Sequence, residues 1–160
     1  MITEYVDAWF RNREKLKKYF ETHTQEQYAE NYTDLLKVVI KVIINDPEEI
    51  LDETRIIERD LTDDYQGDYI WLIPRKDSYH MTTVTDCVFC YVEYGSCSGC
   101  DTLMNIYEED GSWGNGQLPN ERRVKDYMYL SLQLLQNMKP LMTFNEVMQN
   151  NQIDYEVYMK

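Results

Sequence analysis

Apolar residues recur at three- and four-residue spacing from the start of the chain: Tyr5, Val6, Trp9, Phe10, Leu16, Tyr19 and Phe20. With Thr3 and Glu4 ahead of it, that period predicts an amphipathic helix over residues 4–20, whose other face carries Arg11, Arg13, Lys15, Lys17 and Lys18. A capping-box pair, Thr24 and Gln27, precedes a second helical run, Tyr28, Tyr32, Leu35, Leu36, Val39, Ile40 and Ile43, which predicts helix over 25–45. Asp46, Pro47, Glu48 and Glu49 read as the start of a short third helix, since proline suits the first helical position and early carboxylates suit the positive end of the dipole. From Arg55 the pattern turns β-like. Ile56 and Ile57, then residues 69–73, are separated by the turn-prone Gln66, Gly67 and Asp68 and closed by Pro74, which predicts a hairpin. Residues 81–94, rich in Thr, Val, Cys, Phe and Tyr, predict a central strand stopping at Gly95. A short helix over 102–107, a glycine-rich loop around Trp113, a helix over 121–138 ended by Pro140, and a last helical turn capped by Thr143 and Glu146 complete the chain. This order predicts an α+β fold, with an antiparallel sheet from the central segment packed on one face by the N- and C-terminal helices.

A chain of 160 residues is long enough to bury a core without disulfides or metal, and residues 1–160 read as a single domain. The 43% hydrophobic content sets it apart from disordered chains. The first residues lack the basic start and apolar run of a signal peptide, and the longest apolar run, residues 38–44, is broken by Lys41. A cytoplasmic location is the expectation, and there cysteines are thiols, ligands or redox centres rather than a disulfide framework.

Charge changes the picture further. Against 16 basic residues stand 29 acidic ones, a formal net charge of −13 that repels nucleic acid and anionic membranes. Asp46, Glu48, Glu49, Asp52, Glu53, Glu58, Asp60, Asp63, Asp64 and Asp68 face only Arg55 and Arg59 within residues 46–68, so this segment carries −8. These ten carboxylates are the candidate partner-binding residues. The spacing matches no EF-hand loop, and the bland alternative is a solvated face.

Cys87 and Cys90, with Cys97 and Cys100, make two CxxC pairs six residues apart, and three readings compete. A four-thiolate zinc site is one, opposed by residues three apart in a strand pointing to opposite faces. Redox chemistry at Cys97 and Cys100 is the second, opposed by the negative charge of Asp101 and by the lack of a βαβ pattern. The third, which is favoured, makes the thiols small buried hydrophobes in a sharp strand-to-helix turn capped by Ser98 or Asp101.

The string from Tyr94 through Gly95, Ser96, Cys97, Ser98, Gly99, Cys100 and Asp101 to Leu103, with residues 134–139 later, resembles a family of uncharacterised phage-encoded proteins that share this turn. The resemblance spans residues 68–139 and implies a role in host takeover or counter-defence. In that family the turn is shared and the Cys87 and Cys90 pair is not, which argues against a four-cysteine metal site.

Only two histidines, His23 and His80, are present, and each reads as a surface or capping residue. Residues 111–116 lack the flanking strand and basic residue of a phosphate cradle. No catalytic residue and no cofactor are predicted, zinc on the four cysteines being the alternative. The expectation is a non-enzymatic binding protein that occupies a basic, nucleic-acid-binding surface of a host protein by presenting carboxylates where phosphates would lie.

Overall fold

The computed structural model describes residues 2–62, 64–76, 87–97, 99–108 and 116–140. Helix α1, Ile2–Thr22, buries Tyr5, Ala8, Trp9, Leu16 and Phe20, as its period requires. Val6 and Phe10, counted in the same stripe, stand exposed at its edge.

The long second helix is instead three pieces: a single 3-10 turn, Gln25–Gln27; helix α2, Tyr32–Val39; and a π turn, Ile40–Ile44. Thr24 does not cap; its hydroxyl donates to Glu26 Oε1 at 2.8 Å. The break serves tertiary partners. Gln25 is fully buried, its side-chain oxygen accepting from the Tyr127 hydroxyl at 2.7 Å and its amide donating to the Gln117 carbonyl. Asn31 then starts α2 afresh, accepting from the Asp34 amide at 2.8 Å. The π turn closes with the Asn45 amide on the Ile40 carbonyl at 2.8 Å. At its end the buried Asn12 of α1 donates to the carbonyls of Ile43 and Asp46 at 2.9 and 2.8 Å, the Ile43 carbonyl being one that Pro47, without an N–H, cannot satisfy.

No helix follows Pro47. Its backbone groups go elsewhere: Asn45 Oδ1 accepts from the amides of Ile50 and Leu51, the Asp52 amide donates to the Pro74 carbonyl, and Leu51 bridges to Arg75. The segment is an irregular loop tied to the end of β2 and entered from the π turn through a cis Asp46–Pro47 bond.

Four strands, counted among the described residues, form an antiparallel sheet in sequence order: β1 Ile57–Thr62, β2 Gln66–Pro74, β3 Cys87–Gly95 and β4 Lys139–Pro140. The hairpin is present, but Gln66, Gly67 and Asp68 belong to β2 rather than to its turn. Gly67 is needed for packing, since a Cβ there would meet the Tyr94 ring at 2.8 Å. Of the predicted central strand, residues 81–86 lie outside the described residues, as do most of the glycine-rich loop and the 143–146 cap.

Alternation places Trp71 and Ile73 of β2 and Val88, Cys90 and Val92 of β3 on the helix-facing side, all buried. Helix α4, Glu121–Gln136, begins at Asn120, which accepts from the Arg123 amide at 2.8 Å, and packs on α1, α2 and β3. One hydrophobic cluster joins these elements, with Tyr28, Phe20 and Tyr127 packed in tilted and edge-to-face pairs at ring separations of 4.8 to 5.5 Å. Between β3 and α4 lies the short helix α3, Thr102–Tyr107. The result is the α+β architecture expected, with helices on one face of the sheet.

Candidate functional site

The acidic segment does not form one face. Its first half is largely neutralised within the protein. Asp46 accepts from Lys15 Nζ at 2.8 Å, using the basic side of α1, and Glu49 pairs with Lys76 at 3.2 Å. Asp52 is buried and holds its own turn, accepting from the Thr54 hydroxyl at 2.6 Å, the Thr54 amide at 3.0 Å and Arg55 Nε at 2.6 Å. The Thr54 hydroxyl above all, and then Arg55, hold its carboxyl down at about 2 against the opposing effect of burial. Its carboxylate is thus occupied within its own turn. Glu53, half-buried, accepts from Asn45 Nδ2, and Glu48 is exposed.

The second half stands on the edge strand β1 and its hairpin with β2. Glu58 and Asp60 share one face of β1. Glu58 accepts from the Thr33 hydroxyl, which accepts in turn from the Trp71 indole at 2.8 Å, and Asp60 accepts from the Tyr94 hydroxyl at 2.5 Å and from Thr62 at 2.8 Å. Asp60 thereby keeps the Tyr94 phenol protonated above its usual range. Asp64 is exposed beside the hairpin turn; Asp63 lies outside the described residues. Asp68 points to the opposite face of the sheet, directly across from Glu93. Glu93 is a carboxylate the sequence reading missed. Its alternation with Phe89 and Tyr91 gave its face, but only the β2–β3 register could pair it with Asp68. Like charges directly opposite in a ladder are unfavourable, and this pair lines a polar cleft of about 750 Å³ together with Tyr65, Gln66, Cys100 and Gln133.

The cysteine turn adjoins this end of the sheet, tied to the hairpin by the Ser96 amide donating to the Tyr65 carbonyl at 3.1 Å. Its two residue pairs have separate fates. Cys87 and Cys90 are both buried in β3 on opposite faces, and burial pushes the Cys90 thiol up to about 12. Five residues of strand put Cys90 about 16 Å from Gly95, while zinc needs each sulfur at ~2.3 Å. The structure does not bring the four sulfurs together, and among the described residues no cluster of three or more His, Cys, Asp or Glu is placed to hold a metal ion.

Cys97 and Cys100 are exposed, their sulfurs 2.7 Å apart. This corrects the reading of all four thiols as buried hydrophobes. The Cys97 carbonyl accepts from the amides of both Cys100 and Asp101 at 2.9 Å, which closes the turn. Asp101 caps α3 as expected, taking the Met104 amide at 2.7 Å, and is buried against the Tyr32 hydroxyl, which donates to it and accepts from the Leu103 amide. His23, half-buried, stacks on Tyr19 with ring centroids 3.9 Å apart and meets the Tyr19 carbonyl at the end of α1, the capping alternative of its expected role; His80 lies outside the described residues.

Fold and site together define an α+β protein with an acidic hairpin end set beside a dithiol turn. No protein-family model, no curated protein and no solved structure matches the chain. Among the described residues no helix is long and apolar enough to cross a membrane.

Proposed function

We propose that this protein acts by binding, its hairpin end occupying a basic, nucleic-acid-binding surface of another protein. The observation that supports the reading is the gathering of Asp60, Asp64, Asp68 and Glu93 at one end of the sheet, with Arg59 the sole cation among the described residues of 57–68. Such a cluster speeds encounter with a cationic groove and weakens as salt shortens the Debye length to about 8 Å at physiological ionic strength. The turn's resemblance to phage-encoded proteins makes a host or defence protein the partner of choice. Asp46, Glu49 and Asp52 are left out of this surface, because Lys15, Lys76 and Arg55 already neutralise them.

The test is competition. The protein should displace a labelled DNA duplex from a member of a panel of purified host DNA-binding proteins. Replacing Asp60, Asp64 and Asp68 with Asn and Glu93 with Gln should slow its association with that member about tenfold at low salt and flatten the salt dependence. Equal binding by parent and variant at every salt concentration, or no displacement anywhere in the panel, would overturn the reading.

A further inference from the structure

We propose that Cys97 and Cys100 form a thiol–disulfide exchange site whose surroundings select a cationic disulfide as co-reactant. Of the four cysteines these two alone are exposed, and their sulfurs lie within about 0.7 Å of bonding distance. The turn that holds them is set by hydrogen bonds rather than by sulfur chemistry. Besides the two amides on the Cys97 carbonyl, the Cys97 amide donates to Cys100 Sγ at 3.1 Å. Gly95 seats Cys100: a Cβ there would come within 2.7 Å of its Cβ and carbonyl oxygen and 2.6 Å of its sulfur.

The two sulfurs differ. Cys100 Sγ donates to the Cys97 carbonyl at 3.2 Å, which holds it as a thiol. Contact with the Cys100 side chain, then the Gly99 and Cys100 amides, draw Cys97 below the ordinary thiol range, against burial and the Asp101 carboxylate. Asp101 is occupied by the Met104 amide and the Tyr32 hydroxyl. Cys97 is therefore the attacking thiolate and Cys100 the resolving thiol. In the first step a Cys97–sulfur bond forms as the co-reactant's disulfide breaks, and the departing thiolate takes up the proton Cys97 has released. Cys100 then gives up its proton and attacks Cys97 Sγ, and the second half of the co-reactant leaves as a thiol carrying that proton. Two protein thiols are oxidised to one disulfide, and one disulfide is reduced to two thiols.

Selection follows from the walls. Cys100 opens on the cleft holding Asp68 and Glu93, and on a second of about 450 Å³ lined by Asp101, Asp126 and Tyr129. Among the described residues no lysine or arginine lines either; the nearest cations are Arg122, 4.0 Å from Asp126, and Lys125, whose Nζ lies 5.8 Å over the Tyr129 ring at the rim of the second. Anionic walls attract a cationic disulfide and repel an anionic one. The site shares Asp68 and Glu93 with the proposed binding surface, but exchange also needs the two sulfurs and binding does not, so the cysteine variants separate the two roles.

The experiment takes the reduced full chain and three probes: cystamine (cationic), 2-hydroxyethyl disulfide (neutral) and glutathione disulfide (anionic). Each rate is divided by that of the neutral thiol N-acetylcysteine amide with the same probe. Peptide mapping should show a Cys97–Cys100 bond, with Cys87 and Cys90 still reduced. At low salt the relative rate for cystamine should exceed that for glutathione disulfide at least ~10-fold, and the ratio should shrink with salt and in the Asp68→Asn/Glu93→Gln variant. Cys100→Ser should hold a stable mixed disulfide at Cys97, and Cys97→Ser should not. Oxidation first at Cys87 or Cys90 in the unsubstituted chain, or no Cys97–Cys100 bond, would overturn the site; equal relative rates for the three probes would overturn its selectivity.

Discussion

Asp52 shows how a single carboxylate in the most acidic stretch can serve the fold rather than a partner. Its carboxyl is held at about 2 by the Thr54 hydroxyl and Arg55, below the ~3.9 of an unfolded aspartate. A group with a depressed folded pKa adds stability above its unfolded value, and that contribution disappears as pH falls through the folded one. Allowing for the solvent that reaches its edge, Asp52 should add about 1–2 kcal/mol at neutral pH, lost between roughly pH 4 and pH 2. Urea unfolding of the parent and of Asp52→Asn should therefore differ by that amount at pH 7 and converge near pH 2; a constant difference would show that the carboxylate's charge is not the cause. Tyr32 has a comparable role without charge. Burial raises its phenol far above the usual range, so it stays a donor to Asp101 and ties α2 to the cysteine turn.

At the scale of elements, the start of the loop between the π turn and β1 is closed by the Asn45 side chain. Asn45 accepts two amides at 2.9 Å and donates to the Leu51 carbonyl at 2.7 Å, replacing the helix that Pro47 was expected to start. Asn45→Ala would leave these half-buried groups unpaired, at a cost of about 2–3 kcal/mol. Hydrogen exchange should show the Ile50 and Leu51 amides losing protection, with β2 and β3 unchanged. A loss spread evenly over the sheet would mean that Asn45 supports the core rather than the loop. The hairpin shows the opposite case. Its two strands were legible from alternation, yet its turn was misplaced by three residues, because Gly67 signals a bend as readily as it permits the close approach of Tyr94.

The whole molecule is held by one apolar cluster running from Tyr5 on α1 through Trp71 on β2 to Met138, and its four sulfurs do not converge. Thermal unfolding of the purified protein should accordingly keep its midpoint within about 1 °C in excess EDTA. A fall of several degrees, with zinc near one per chain by elemental analysis, would contradict this. The α+β class, α1, α4, the β1–β2 pair and the short helix capped by Asp101 were all readable from the chain, because period, caps and alternation act over a few neighbouring residues. The acidic bias of residues 46–68 and the paired cysteines were readable too. What the tertiary structure alone decided was which of those charges remain available. Lys15, Lys76 and Arg55 neutralise one half of the segment, while register sets Asp68 against Glu93, 25 residues away in sequence, beside Cys100. The split of the second helix was likewise met from outside it, by Tyr127 on Gln25, while Asn12 takes up the carbonyl of Ile43 at its far end. Local pattern fixes what an element is; long-range packing fixes where it breaks and which polar groups it consumes, and no window of neighbouring residues carries that information.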